Sequence, residues 1–147
     1  MGYNMQSYQN ILVGIDVHGP EWDKPFDQAC IYALNHDATL HIATVLNTKT
    51  YTTEERFDPK LKELKQHAHE MLDNYKQKAK DKGVYQVNVI FDTGSPKTRI
   101  TRHLAQKHDI DLIVVGANLA NKAEKFVLGS VADGIVREAR CDVVTVK

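Results

Sequence analysis

The feature that most constrains the fold is an apolar run followed by a glycine-flanked loop and a helix start near the end of the chain. Leu112 to Val115 is an unbroken apolar run that stops at Gly116, as in a strand covered on both faces. A loop over 117–128 follows, and after Gly129 and Ser130 apolar residues recur at helical spacing. Because free backbone N–H groups and the positive end of the helix dipole converge on such a loop, it can hold phosphate. A plain β–α connection with two turn glycines would give the same pattern.

Length and charge limit the class of protein. The chain of 147 residues fits one domain over 1–147, with 1–9 expected as a flexible N-terminal tail. Lys plus Arg and Asp plus Glu number 19 each, so no global charge favours nucleic acid or an anionic membrane. The N-terminus is polar and is followed by only a short apolar segment, which is typical of neither a signal peptide nor a membrane span. We therefore expect a cytosolic protein with no nucleic-acid or membrane partner.

Strand and helix patterns alternate along the whole chain. Strands are predicted over Ile11 to Asp16, Thr39 to Leu46, Val84 to Phe91, Leu112 to Val115 and Val143 to Val146. Helices are predicted between them, beginning near Asp23, Leu61, Pro96 and Ser130. This order predicts a five-stranded, open, mostly parallel α/β sheet with helices on both faces. Ligands of such sheets bind outside the carboxyl ends of the strands, which places Asp16, Val45 and Gly116 on one rim.

Common nucleotide motifs are absent from the sequence. A Rossmann dinucleotide site needs Gly-x-Gly-x-x-Gly after the first strand, but residues 16–20 read Asp-Val-His-Gly-Pro. Neither Gly116 nor Gly129 is followed by the lysine of a Walker loop. Ordinary NAD binding and a P-loop are therefore not predicted.

The other polar candidates have simple structural interpretations. His67, His69 and Glu70 suggest a metal site, but His67 and His69 are two apart on a helix and point to different sides, so a solvated face is favoured. His18 lies beside the rim and could titrate near neutrality, although a polar loop residue is the simpler interpretation. The mixed charges of 117–128 could meet phosphate or simply be solvated. No nucleophile and base are paired by spacing, so we predict no catalytic residues.

Four segments together resemble the universal stress protein family. They are residues 11–16, 94–100, 111–139 and 141–147, which read ILVGID, GSPKTRI, DLIVVGANLANKAEKFVLGSVADGIVREA and CDVVTVK. The resemblance runs nearly end to end and implies a Rossmann-like sheet similar to that of adenine nucleotide alpha hydrolase relatives. Many members form dimers by pairing their last strands, so the resemblance implies a homodimer through Val143 to Val146.

The loop motif departs from the nucleotide-binding branch of this family at one position. That branch carries Gly-x2-Gly-x9-Gly-Ser/Thr, and Gly116, Gly129 and Ser130 match it, whereas Leu119 stands at the middle glycine. A glycine there allows close backbone approach to phosphate and a positive φ, and leucine resists both. Asp142 also replaces the usual proline before the last strand.

The resemblance implies a binding site and a role. The matching positions are Asp16 and Val45 for adenosine, and Gly116, Gly129, Ser130 and Val131 for the phosphates. We expect a stress-response regulator or sensor that binds ATP or a related adenine nucleotide, with or without Mg²⁺, and hydrolyses it slowly at most. The alternative is a dimeric interaction protein of the same fold that has lost nucleotide binding, which Leu119 favours. A metabolic enzyme of this fold would rest on analogy alone.

Overall fold

Five parallel strands form one open sheet in the order β3-β2-β1-β4-β5. The computed structural model describes residues 7–16, 23–47, 52, 54, 57–117 and 129–147. The strands are β1 Asn10–Gly14, β2 Thr39–Leu46, β3 Val87–Thr93, β4 Leu112–Gly116 and β5 Asp142–Val146. Strands β3 and β5 are the two edges, and the order reverses direction between β1 and β4. The predicted fold class is confirmed.

Helices cover both faces of the sheet. They are α1 Asp23–His36, α2 Pro59–Asp81, α3 Pro96–Thr98, α4 Ala105–Lys107 and α5 Ser130–Glu138, with a π-helical segment over Arg99–Leu104 that joins α3 and α4 into one rod. One apolar cluster joins the sheet to α1 and α2. A second cluster joins the opposite face to the π segment and α5. Because side chains of a strand alternate between faces, β1 contributes to both clusters, with Ile11 and Val13 on one side and Leu12 on the other.

Strand β2 matches its predicted bounds, whereas the other four strands differ from theirs, β4 and β5 by one residue each. The predicted strand Val84 to Phe91 begins at Val87 instead. Gly83 has φ +102° and turns the chain out of α2, and Val84 is still part of that turn because its N–H donates to Ala79 O at 3.1 Å. Strand β1 ends at Gly14, two residues before the predicted Asp16.

Helix α5 is amphipathic but buries a narrower face than its sequence pattern indicates. Ala132 and Ile135 are buried, whereas Val131 and Val136 are exposed. Ala139 is extended and ends the helix, and it packs against the same apolar cluster as Ala132 and Ile135. The predicted helix start at Gly129 and Ser130 is confirmed, with Gly129 as the N-cap residue.

The π segment was not predicted by the helical period. The N–H of Ala105 donates to Ile100 O, five residues back. The wider turn places Ile100, Thr101 and Leu104 together inside the fold. The buried Thr101 hydroxyl is satisfied because Oγ1 donates to Lys97 O at 2.8 Å.

The start of the described chain is attached to the sheet. The tail predicted over residues 1–9 falls in part on 1–6, which lie outside the described residues. Tyr8 donates its hydroxyl to Asp142 Oδ2 at 2.6 Å, and the N–H of Gln9 donates to Asp111 Oδ2 at 2.8 Å. Among the helices of the described ranges, none combines the length and the apolar character needed to span a bilayer.

Candidate functional site

Three of the predicted site residues lie at the edge of the sheet where the strands end, which we call the carboxyl rim. Val45 is the penultimate residue of β2, and Gly116 is the last residue of β4. Asp16 follows β1 and is exposed, and the preceding residue continues the ladder because Ile15 N donates to Ala43 O at 2.8 Å. The parallel sheet thus brings Asp16, Val45 and Gly116 to one side of the molecule, beside the point where strand order reverses.

One hydrogen bond joins the two ends of the β4–α5 connection, and another attaches its first residue to β5. The N–H of Ala117 donates to Val146 O at 2.8 Å, and the N–H of Gly129 donates to Ala117 O at 2.8 Å. Ala117 and Gly129, the two ends of this connection, therefore lie side by side at the rim. Leu119 and the charged residues of this loop lie outside the described residues, and so does His18.

The start of α5 presents donors at this rim. Gly129 caps the helix with φ −61° and ψ 157°, and it offers no side-chain acceptor. The first intrahelical bond runs from Asp133 N to Gly129 O at 2.9 Å. Helix geometry thus leaves the N–H groups of Ser130, Val131 and Ala132 without intrahelical acceptors. These donors and the positive end of the helix dipole fit a phosphate group.

An acidic residue in the first turn of α5 does not oppose this role, because its charge is offset. Asp133 lies in that turn, where a free carboxylate would repel an anion. Its Oδ2 accepts from Arg137 Nε at 2.9 Å, one turn further along the helix. Ser130 is exposed, so its hydroxyl can reach a ligand at the helix start.

Lys97 docks α5 against the helix that follows β3. A Cβ at Gly134 would collide with Cδ of Lys97 and lie 2.9 Å from its Cγ, so the lysine methylenes fill the space that glycine leaves. Beyond Gly134 the Lys97 Nζ pairs with Glu138 Oε1 at 3.4 Å. Glycine inside a helix costs about 1 kcal/mol relative to alanine, and here it permits this close approach. The sequence analysis missed this contact, although an interior helix glycine was a signal for it.

A second contact that the sequence analysis missed is an ion pair at the carboxyl end of β3. Arg99 Nε donates to Asp92 Oδ2 at 2.6 Å, and the other carboxylate oxygen accepts from Thr93 N at 2.8 Å. The arginine methylenes lie against Gly94, whose φ is +127°. The signal in the sequence was a carboxylate at a strand end followed, after a glycine turn, by arginine in the first turns of a helix.

The metal interpretation of the α2 histidines gains no support. No group of three or more His, Cys, Asp or Glu residues within the described ranges is arranged to hold a metal ion. His67, His69 and Glu70 are exposed on α2. The His69 ring packs on Phe91, with ring centroids 4.7 Å apart, and Glu70 accepts from Gln66.

An open parallel sheet with a glycine-capped helix start at the reversal of strand order defines a Rossmann-like α/β protein, a class in which ligands bind at the strand ends. The profile of the Universal stress protein family matches residues 7–147, and the chain therefore belongs to this family. A Staphylococcus aureus (strain USA300) protein, whose name provisionally assigns it to the universal stress proteins, is 39% identical over 145 residues. That alignment covers 97% of this chain and 86% of the relative.

Solved structures of universal stress proteins share the fold. The universal stress protein UspA from Lactobacillus plantarum is 29% identical, with a TM-score of 0.80 over 95% of this chain and 98% of its own. A universal stress protein solved in complex with cAMP is 26% identical, with a TM-score of 0.71 over 95% of this chain and 97% of its own. Both similarities extend over almost the entire sheet and its helices.

Proposed function

We propose that this protein binds ATP or a related adenine nucleotide at the carboxyl rim and acts as a stress-response regulator. The observation that carries the proposal is the start of α5, where a glycine cap leaves successive N–H groups available beside the reversal of strand order. The structural neighbour in complex with cAMP supports an adenine nucleotide as the class of ligand. In this proposal the protein works in the cytosol.

The rim divides between the two halves of the ligand. Asp16 follows β1, and Val45 lies near the end of β2. Both strands are on the same side of the point where strand order reverses, so these two residues adjoin the adenosine. Four residues at the end of β4 and the start of α5 hold the phosphates, with or without Mg²⁺: Gly116, Gly129, Ser130 and Val131. The backbone N–H groups supply the binding, and the Ser130 hydroxyl adds a further donor.

The protein acts by changing its surface and not by rapid catalysis. Nucleotide contacts with the β4–α5 connection favour one arrangement of the rim, and a partner protein recognises that arrangement. Rapid hydrolysis would require a group that positions the attacking water and a cation that stabilises the transition state. None of the residues placed at the rim is suited to either role, so turnover of ATP by purified protein should be slow.

The unpaired edge of β5 supports a homodimer. Val146 O accepts from the N–H of Ala117, which follows β4, so the backbone groups of Val146 point towards β4. The N–H and C=O of one strand residue point to the same side, and this side alternates along the strand, so those of Val143 and Thr145 point outward. No described strand pairs with this edge. We propose that a second copy pairs with it along Val143 to Val146.

Thr145→Pro tests the dimer because it removes an outward N–H without removing a bond to β4. Sedimentation equilibrium should give twice the chain mass for the wild type and the monomer mass for Thr145→Pro, with similar circular dichroism spectra. A monomeric wild type at tens of micromolar would contradict the proposed dimer.

A second candidate function is an interaction protein that has lost nucleotide binding. Leu119 favours it, because leucine stands where binding relatives carry the middle glycine of the motif. Calorimetric titration of ATP with Mg²⁺ into nucleotide-free protein distinguishes the two. Micromolar binding by the wild type supports the nucleotide-binding function. Binding by Leu119→Gly but not by the wild type supports the interaction protein instead.

A further inference from the structure

The ion pair between Asp92 and Arg99 directly adjoins the adenosine side of the rim. In the parallel register of β2 and β3, Asp92 is the partner of Val45. Paired positions of neighbouring strands direct their side chains to the same face of the sheet. The carboxylate therefore lies beside the side chain of Val45, and Arg99 is bonded to that carboxylate.

Several contacts hold this pair in one orientation. Asp92 Oδ1 accepts from Thr93 N, and Oδ2 accepts from Arg99 Nε. A Cβ at Gly94 would lie 3.2 Å from Cγ of Arg99, so the arginine stem is in close contact with this turn. Gly94 N in turn donates to Leu46 O at 2.9 Å, which attaches the turn to the end of β2. The guanidinium is thus positioned before any ligand arrives, which reduces the entropy cost of binding.

The pair retains hydrogen-bonding capacity on both partners. A guanidinium has five N–H donors, and the contact with Asp92 uses the one on Nε. An ionised carboxylate has about four acceptor sites, and Thr93 N and Arg99 Nε use two of them. The side chains of Arg99 and Asp92 are 35% and 18% exposed, so a ligand at the rim can reach them. Neighbouring acceptor and donor groups are therefore available beside Val45.

Strand order separates this pair from the phosphate side. β3 lies three strands from β4, and α5 begins after β4. At about 4.8 Å per strand, the end of β3 is roughly 14 Å from the end of β4. The ion pair is therefore placed at the base end of a nucleotide whose phosphates lie at the start of α5.

We propose that Asp92 and Arg99 recognise the purine base of the bound nucleotide. Asp92 accepts a hydrogen bond from the 6-amino group of adenine, and Arg99 donates to a neighbouring ring nitrogen. Guanine presents an acceptor oxygen in place of that amino group, so Asp92 disfavours it. This inference rests on the proposed function and deepens it, because it makes the base edge the basis of selectivity.

The test compares ligands that share the base but differ in phosphate number. Adenosine, AMP, ATP and GTP are titrated calorimetrically into nucleotide-free wild type, Arg99→Met and Asp92→Asn. Arg99→Met should weaken adenosine, AMP and ATP by the same factor, about tenfold, as expected for a lost hydrogen bond to a charged group. Asp92→Asn should reduce the preference for ATP over GTP by a similar factor, which a change in stability alone would not do.

Arg102→Met is the matched control, because Arg102 is exposed on the same helical rod. It should keep wild-type affinities, and thermal unfolding checks that every variant is folded. If Arg99→Met does not fold, Arg99→Lys replaces it, since lysine retains the charge but not the planar fork.

The proposal is overturned by unchanged affinities in Arg99→Met, by losses that grow with phosphate number, or by an unchanged ratio of ATP to GTP affinity in Asp92→Asn. In any of these three cases the proposed function is still supported if the wild type binds ATP. If the wild type binds neither nucleoside nor nucleotide, the proposed function and this inference both fail.

Discussion

At the amino-terminal end of the sheet, side chains satisfy the polar groups of the strands, whereas at the carboxyl rim the first N–H groups of α5 have no acceptor within their own helix. His41 at the amino-terminal end is 6% exposed and lies between Asn10 and Asn88 on the neighbouring strands, with contacts of 3.1 Å to each. Asp111 there accepts the N–H groups of Gln9 and Asn10. One end of the sheet is closed by its own residues, and the other has donors available for a ligand.

This contrast indicates which end maintains the fold and which end carries the function. Unsatisfied buried polar groups cost free energy, so an amino-terminal end with its hydrogen bonds made contributes to stability. Donors at an exposed helix start cost little free energy, because water accepts from them when no ligand is bound. We therefore expect changes at the amino-terminal end to alter stability, and changes at the carboxyl rim to alter binding.

The largest expected effect is an acid-sensitive loss of stability through His41. Burial, together with the smaller effect of the nearby His108, lowers the pKa of His41 from 6.5 to about 4. A depressed pKa means that the unfolded chain takes up a proton at higher pH than the folded one, so stability falls as the pH drops from about 6.5 towards 4. At about 1.4 kcal/mol per pKa unit, the loss is roughly 3 kcal/mol.

Urea unfolding of wild type and His41→Leu across this pH range tests the effect. The variant should be less stable at pH 7, because Asn10 and Asn88 lose their partner, but its stability should depend less on pH. His67→Leu is the matched control, since His67 is exposed on α2. Equal pH slopes for wild type and His41→Leu would show that His41 does not carry the acid sensitivity.

Asp111→Ala should have the next largest effect on stability. It removes two hydrogen bonds to a charged acceptor, from Gln9 N at 2.8 Å and from Asn10 N at 3.0 Å. We expect the free energy of unfolding to fall by about 2–3 kcal/mol, with unchanged nucleotide affinity. Asp73→Ala on the exposed face of α2 should change neither quantity. A large loss of affinity in folded Asp111→Ala would show that the two ends are coupled.

Gly134→Ala should have the smallest effect, and its sign should depend on Lys97. In the wild type the new Cβ displaces the Lys97 methylenes and weakens the pairing with Glu138, which offsets the gain in helix propensity. In a Lys97→Ala background the same change should stabilise the protein by about 0.5–1 kcal/mol. A double-mutant cycle from denaturant unfolding measures the coupling, and additive effects would argue against the packing of Lys97 on Gly134.

The sequence predicted the features that depend on periodicity and strand direction. The bounds of β2 were predicted correctly because its largely apolar segment begins shortly after Asp37 and stops at the polar Asn47. The positions of Asp16, Val45 and Gly116 at one rim followed from the parallel strand order. The start of α5 followed from Gly129 and Ser130, since apolar residues at helical spacing come directly after them.

Features that depend on packing between distant elements were not predicted. Lys97 and Gly134 belong to different helices, and neither residue alone indicates that the lysine stem crosses the glycine. Asp92 and Arg99 meet because the turn at Gly94 reverses the chain between a strand and a helix. The π segment closes its hydrogen bonds over one residue more than an α-helix, and apolar residues spaced at the α-helical period of 3.6 do not reveal this extra residue. Side-chain periodicity determines the face of an element but not its contacts with other elements.

Backbone amide NMR of ¹⁵N-labelled protein during titration with ATP shows directly which end of the sheet binds the nucleotide. We expect the largest shift changes at Asp16, Leu46, Gly116 and the N–H groups of Ser130 to Ala132, with little change at Asn10, His41 and Asn88. If ATP leaves every amide unchanged, or shifts mainly the amides of the amino-terminal end, the nucleotide site does not lie at the carboxyl rim.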